Sequence, residues 1–245
     1  MKCEADLRVF PVSDSGADVI GTFEKIFGMN QEKITVHRSS DIKDVGYLDG
    51  KYRLSSTESE IVADFVVITT GGNAYAHTGS SGDGYGFARR LGHTVTRLGP
   101  SLSSFETLEN FPKEISGISL PKARLKWNAE TFTDGPLLFT HFGISGPAPF
   151  AFSSLLAFET IDAERPLKIS LSPLAGWQMP DWDSYMEKEA KIHGNREVRN
   201  LLDPLPRRLV DALGTAGILP NRILNLKGAT LSREDRKTLS KILGE

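Results

Sequence analysis

Residues 61–93 read IVADFVVITTGGNAYAHTGSSGDGYGFARRLGH, and the change of texture inside this stretch decides the fold class. Phe65, Val66, Val67 and Ile68 form a continuous apolar, largely β-branched run. That is the pattern of a strand covered on both faces in a parallel sheet, so a buried strand is expected over 61–70. Gly71 and Gly72 end it. Asp83-Gly84 then opens a short helix expected over 85–91, and Gly92 suits the left-handed position that closes such a helix. Strand, bend and helix make an α/β unit, which places ligands at the carboxyl end of its strand.

The bend is the strongest candidate site. Six glycines (71, 72, 79, 82, 84 and 86) let a backbone approach a bulky ligand without Cβ collisions. The start of the helix offers unpaired N–H groups and a partial positive charge to a phosphate or an electron-rich carbonyl. Thr70, Thr78, Ser80 and Ser81 add hydroxyls. A surface loop whose glycines merely turn the chain accounts for the composition about as well. The second candidate is FTHFGISGP at 139–147, where His141 lies between two aromatics ahead of a glycine-rich turn. An imidazole there has the chemistry of a proton donor, although a packed β-turn is the simpler reading.

Outward from the bend, the chain has three textures. In the first, 1–96, Val19, Phe23, Ile26 and Phe27 recur at helical spacing and predict an amphipathic helix over 17–28 with one buried face. Segments 34–37, 42–45 and 51–54 look extended, and Asp49-Gly50 predicts a hairpin between the last two. The second, 97–178, is punctuated by glycine and proline and carries short strand-like runs at 124–127, 137–140 and 167–171, so a β-rich module is expected. The third, 179–245, is helical, with candidates at 182–192 and 207–213. Pro204 and Pro206 break the chain before the second of these. Ser232 with Asp235 three residues later predicts a capped start for a helix bearing Leu239, Ile242 and Leu243.

Composition narrows the function classes. A length of 245 residues allows one large domain or two smaller ones. Lys plus Arg number 29 against 31 Asp plus Glu, a net charge of -2 that argues against a dedicated nucleic-acid partner. The single cysteine, Cys3, excludes an internal disulfide and fits a reducing compartment. The longest apolar stretch, 147–158, contains Ser153 and Ser154 and is too short to span a bilayer, and no signal peptide is read at Met1. A cytoplasmic protein with no membrane partner is therefore expected. No HExxH, CxxC or GxxxxGK[ST] occurs, so neither a zinc site nor an NTPase phosphate loop is expected. Pro147 stands where a nucleophile elbow after Ser145 would need glycine. Another nucleotide at the bend is disfavoured because no Lys follows the glycines.

The run VVITTGGNAYAHTGSSGDGYGFARRLGH, followed by LLFTHFGISGP, closely resembles the aminoacetone-oxidase-like (BaiN/YhiN-type) family of FAD-dependent oxidoreductases. Arg8-Val9-Phe10-Pro11 with Asp18-Val19 resembles a segment that precedes these motifs there. The resemblance implies part of a two-dinucleotide-binding-type FAD domain over 1–96. It also implies a β-barrel-like insertion over 97–178 and a helical one over 179–245. Thr70, Gly71 and Gly72 would line the flavin site, with Thr78, Gly79, Ser80, Gly82, Asp83 and Gly84 forming the loop and helix start beside it. The adenine-side contact would fall near Ile42. His141 would be the substrate-side catalytic group.

The implied activity moves hydride or electrons between flavin and a small organic substrate, with NAD(P)H as reductant in reductase members. The chain departs from the family in lacking the GxGxxG unit that holds the pyrophosphate, and the family's closing glycine segment. Leu7 replaces a usual Gly and Thr69 a usual Ala. A fragment or one half of a split flavoprotein, associating through unpaired strand edges, is the resulting expectation. The alternative is a non-enzymatic remnant acting as a binding or assembly module.

Overall fold

Asp49 and Gly50 both take positive φ, 53° and 79°, the left-handed pair that an Asp-Gly hairpin turn requires. They join residues 42–48 to 51–56 in the computed structural model, which describes residues 1–4 and 7–244. The chain divides into two units, Met1–Arg97 and Leu98–Glu245.

The N-terminal unit begins with a short antiparallel pair, β1 (Lys2–Cys3) and β2 (Val9–Phe10), followed by helix α1 (Gly16–Met29). The hairpin, β3 (Ile42–Leu48) and β4 (Lys51–Ser56), gains a third antiparallel strand, β5 (Glu60–Ala63). Helix α2 (Asp83–Arg90) closes as expected. Gly92 has φ 89° and donates its N–H to the Arg89 carbonyl, while His93 donates to that of Ala88. This doubled bond is the usual left-handed helix ending. Arg90 reaches across to β3, with its Nε 2.6 Å from Asp44 Oδ1.

Four expectations for this unit are overturned. The strand over 61–70 is not formed: β5 ends at Ala63, and 65–70 joins no ladder. Phe65 is 88% exposed and Val67 83% exposed, so the run is not buried on either face. Nor is there a parallel sheet, since every strand pair among the described residues is antiparallel. A parallel strand needs neighbours aligned with it, and no described segment lies there to pair. Helix α1 forms over the expected residues but has no buried residue: Val19, Ile20, Phe23 and Ile26 are all exposed. Segment 34–37 forms no strand.

The C-terminal unit is built on an open five-stranded antiparallel sheet. Its strands are β6 (Phe105–Glu106), β7 (Ser119–Lys126), β8 (Phe132–Phe139), β9 (Gly143–Ser145) and β10 (Ser170–Ser172), in spatial order β10-β7-β8-β9-β6. Between β6 and β7 lies the short helix α3 (Phe111–Glu114). All five strands lie within 105–172, and among the described residues no pairing joins β10 to β6, so the sheet is open. Helix α4 (Pro147–Leu155) covers one face, burying Phe152 against Leu120, Leu125, Leu137, Phe139 and Ile144.

The remaining helices are α5 (Met179–Ile192), α6 (Arg207–Thr215), α7 (Asn221–Leu224) and α8 (Arg233–Gly244). They enclose a second core around Trp182, Met186, Leu219 and Leu239. Ser232 caps α8 as expected: its Oγ accepts from the Asp235 N–H at 3.0 Å and donates to Asp235 Oδ2 at 2.7 Å.

Candidate functional site

In the bend, four of the six glycines lie close against side chains of the loop itself. A Cβ on Gly84 would overlap Thr70 Oγ1, and one on Gly82 would overlap Asn73 Oδ1. At Gly71 (φ 76°) it would meet Ser80 Oγ at 2.9 Å, and at Gly72 the Tyr85 hydroxyl at 3.2 Å. Residues 70–73 therefore lie directly against 80–85, and the missing Cβ atoms allow that approach. Asn73 and Tyr85 were not singled out in the sequence, yet they fill the space the glycines leave. Their only sequence signal is their place inside the glycine run.

Gly79 and Gly86 have open space where a Cβ would project. Thr78 Oγ1 donates to the Tyr75 carbonyl at 2.8 Å, and Ser81 Oγ donates to Asp83 Oδ2 at 2.5 Å. Of the predicted cofactor residues, Thr70, Gly71, Gly72, Thr78, Gly79, Ser80, Gly82, Asp83 and Gly84 are thus brought into one folded loop. Ile42 lies elsewhere in the unit, as the first residue of β3 opposite Ser56. The Lys43 ammonium pKa is raised chiefly by its hydrogen bond and proximity to Asp41, with a smaller contribution from the charge of Asp83.

This geometry does not by itself fit a bound dinucleotide. Thr70, Gly71, Thr78, Gly79 and Asp83 are exposed. Asp83, in the first turn of α2, carries a carboxylate that offsets the partial positive charge the helix start would offer an anion. Two surface concavities stand out. One, of about 590 Å³, is lined by Met179, Arg233, Glu234, Lys237, Thr238 and Lys241, and the other lies beside α1. Neither involves the bend. Among the described residues, no group of three His, Cys, Asp or Glu side chains is placed to hold a metal ion, and no helix is long and apolar enough to cross a membrane.

His141 belongs to the C-terminal unit and sits with Phe142 at the tip of the β8–β9 hairpin. Thr140 and Gly143 exchange backbone hydrogen bonds of 2.8 and 3.2 Å to close the tip. The imidazole is exposed and lies edge-on to Phe142, with ring centres 5.0 Å apart. A Cβ on Gly143 would collide with the Phe105 carbonyl of β6, and one on Gly146 would crowd the Pro136 carbonyl. The glycines of this motif therefore serve strand approach. Ser145 is the last residue of β9, paired with Leu138, rather than a turn residue, and its Oγ accepts from Ser104 Oγ at 2.9 Å with no histidine in the pair.

The class of the chain is settled by comparison. Residues 1–241 match the family model of the HI0933-like protein Rossmann domain, a mixed α/β class. The chain belongs to that family, the FAD-dependent oxidoreductases that its glycine-rich and FTHFGISGP segments resemble. It is 27% identical over 192 residues to the ribosomal RNA dihydrouridine synthase of Escherichia coli strain K12, covering 77% of this chain and 45% of that protein. It is 24% identical over 152 residues to the 3-dehydro-bile acid delta(4,6)-reductase of Clostridium scindens, covering 61% of this chain and 37% of the relative. The matches thus span less than half of each relative's length.

Proposed function

We propose that this chain supplies part of a flavin-dependent oxidoreductase that transfers hydride or electrons between FAD and an organic substrate. The supporting observation is the family match across residues 1–241, which includes the intact glycine bend and the helix that follows it. In this reading Thr70, Gly71, Gly72, Thr78, Gly79, Ser80, Gly82, Asp83 and Gly84 border the flavin, and Ile42 stands on the adenine side. Residues 1–96 act as part of the FAD domain, with 97–178 and 179–245 as β-rich and helical insertions. FAD would supply the redox chemistry and the protein its orientation and shielding. NAD(P)H is the proposed reductant, His141 the proposed substrate-side polar group, and the cytoplasm the proposed compartment.

The exposed 65–70 run sets a condition on this activity. A flavin pocket at the bend requires a sheet behind it, and the proposed source is polypeptide corresponding to the rest of the relatives' length, as in one half of a split flavoprotein. The chain alone is then expected to bind FAD weakly and to self-associate. Purification with and without added FAD, followed by visible absorption and thermal melting, tests this. A ligand selective for the folded form raises Tm. A yellow monomer carrying stoichiometric FAD would overturn the condition, while a chain that gains no flavin even when its apolar face is covered would overturn the activity.

A second reading of the substrate is favoured by the first relative's name. The substrate would be a base carried in RNA rather than a free small molecule. The balanced net charge argued against a nucleic-acid partner, but it is a whole-chain sum and does not describe local faces.

A further inference from the structure

Helix α8 carries Arg233, Lys237 and Lys241 at intervals of one helical turn, and all three line the same concavity of about 590 Å³. Among the described residues, no carboxylate pairs with any of them. Neighbouring cations are engaged: Arg236 Nε is 2.6 Å from Asp183 Oδ1, and Arg222 Nη2 is 2.5 Å from Asp235 Oδ1. The helix thus spends one cation on holding α5 and leaves three in a row facing outward. Met179, in the first turn of α5, forms an apolar wall of the concavity, and Thr238 lines it with its hydroxyl donating back to the Glu234 carbonyl at 3.0 Å.

We propose that this face binds the sugar–phosphate backbone of single-stranded RNA, an inference that rests on the reading of an RNA-borne substrate. Successive cations stand about 6 Å apart along the helix, so the row extends over about 12 Å. A stacked strand places a phosphate about every 3.4 Å, so three to four phosphates lie within that length. The cations are strung out rather than converging on one point, which suits a chain of phosphates better than a single anion. Met179 offers an apolar surface to a ribose or base. Glu234 is the one carboxylate lining the concavity, and it opposes the ligand.

The test measures fluorescence anisotropy of a short fluorescein-labelled single-stranded RNA across a salt series, with no flavin present. The variant Arg233→Gln/Lys237→Gln/Lys241→Gln is expected to bind at least tenfold more weakly at low salt. Its log–log salt slope should be shallower by about 2, from three lost phosphate contacts at about 0.7 each. Glu234→Gln is expected to bind more tightly, a gain that misfolding could not produce. Lys122→Gln/Lys126→Gln/Lys168→Gln removes the same charge from the sheet region and should leave the slope unchanged. Equal losses in both triple variants would overturn the proposal, as would no RNA binding by the parent chain. Binding to phosphatidylserine vesicles without RNA binding would overturn it too. RNA binding by the parent chain that the Arg233→Gln/Lys237→Gln/Lys241→Gln variant retains with an unchanged slope would overturn this face while leaving an RNA-borne substrate standing.

Discussion

The two units of this chain use their apolar residues in opposite ways. In Leu98–Glu245, the sheet and α4 enclose one core and α5 to α8 a second, with Trp182, Phe139, Phe152 and Met186 fully buried. In Met1–Arg97, Val45 and Phe87 are the buried hydrophobic side chains among the described residues, while Phe23, Phe65 and Val67 face outward. Both units have apolar periodicity in sequence. The difference is that antiparallel strands and short helices find their partners nearby in the chain, whereas a parallel strand depends on segments distant in sequence.

The largest expected effect breaks this contrast directly. Phe152→Ala removes a ring buried between α4 and the sheet and should cost about 3–5 kcal/mol of the C-terminal unit's stability. Phe23→Ala, on the exposed face of α1, should change stability by under about 0.5 kcal/mol. Urea unfolding of both variants checks the pair. A large loss at Phe23 would mean that the face of α1 is covered in solution, and the contrast between units would fail.

What was legible in the sequence follows the same line. The Asp49-Gly50 hairpin, the Gly92 helix ending and the Ser232 cap depend on residues within a few positions of one another, and each formed as read. The apolar run at 65–68 was read by its type, which speaks of burial on both faces but cannot say what provides the covering. The glycine bend was read as room for a ligand. In the fold, much of that room is taken by Asn73, Ser80, Thr70 and Tyr85, contacts no glycine count reveals. The row of cations on α8 was hidden by a net charge close to zero, because the sum discards position. The family, by contrast, was legible, since the order and spacing of several motifs are a property of the whole chain.

A medium effect sharpens the stability of the helical part. Ser232→Ala removes the cap of α8 and should cost about 1 kcal/mol. The same site responds to pH. The Asp235 carboxyl is held below its ordinary range, first by the Arg222 guanidinium and then by the Ser232 hydroxyl. A depressed carboxylate contributes stability above its unfolded pKa of about 3.9, and that contribution is lost as pH falls through the lower folded value. Asp235→Asn should therefore flatten the acid side of the C-terminal unit's stability profile, measured by thermal melting in a pH series. An unchanged profile would show that the Arg222–Asp235 pair is not formed in solution.

The smallest effect returns to the N-terminal unit. Gly50 has φ 79° with open space where a Cβ would project, so Gly50→Ala meets no steric obstacle beyond its own backbone. The cost is that of forcing a left-handed conformation on an L-residue, about 1 kcal/mol, partly offset by the reduced freedom of the unfolded chain. Gly50→Asn restores a residue that tolerates this conformation and should recover most of the loss. Amide hydrogen exchange along β3 and β4 reads this local change even where global unfolding does not. Faster exchange in the alanine variant, with recovery in the asparagine variant, would show that the hairpin is held by its turn rather than by the thin core around Val45. Equal exchange in all three would place its stability in the pairing with β5 instead.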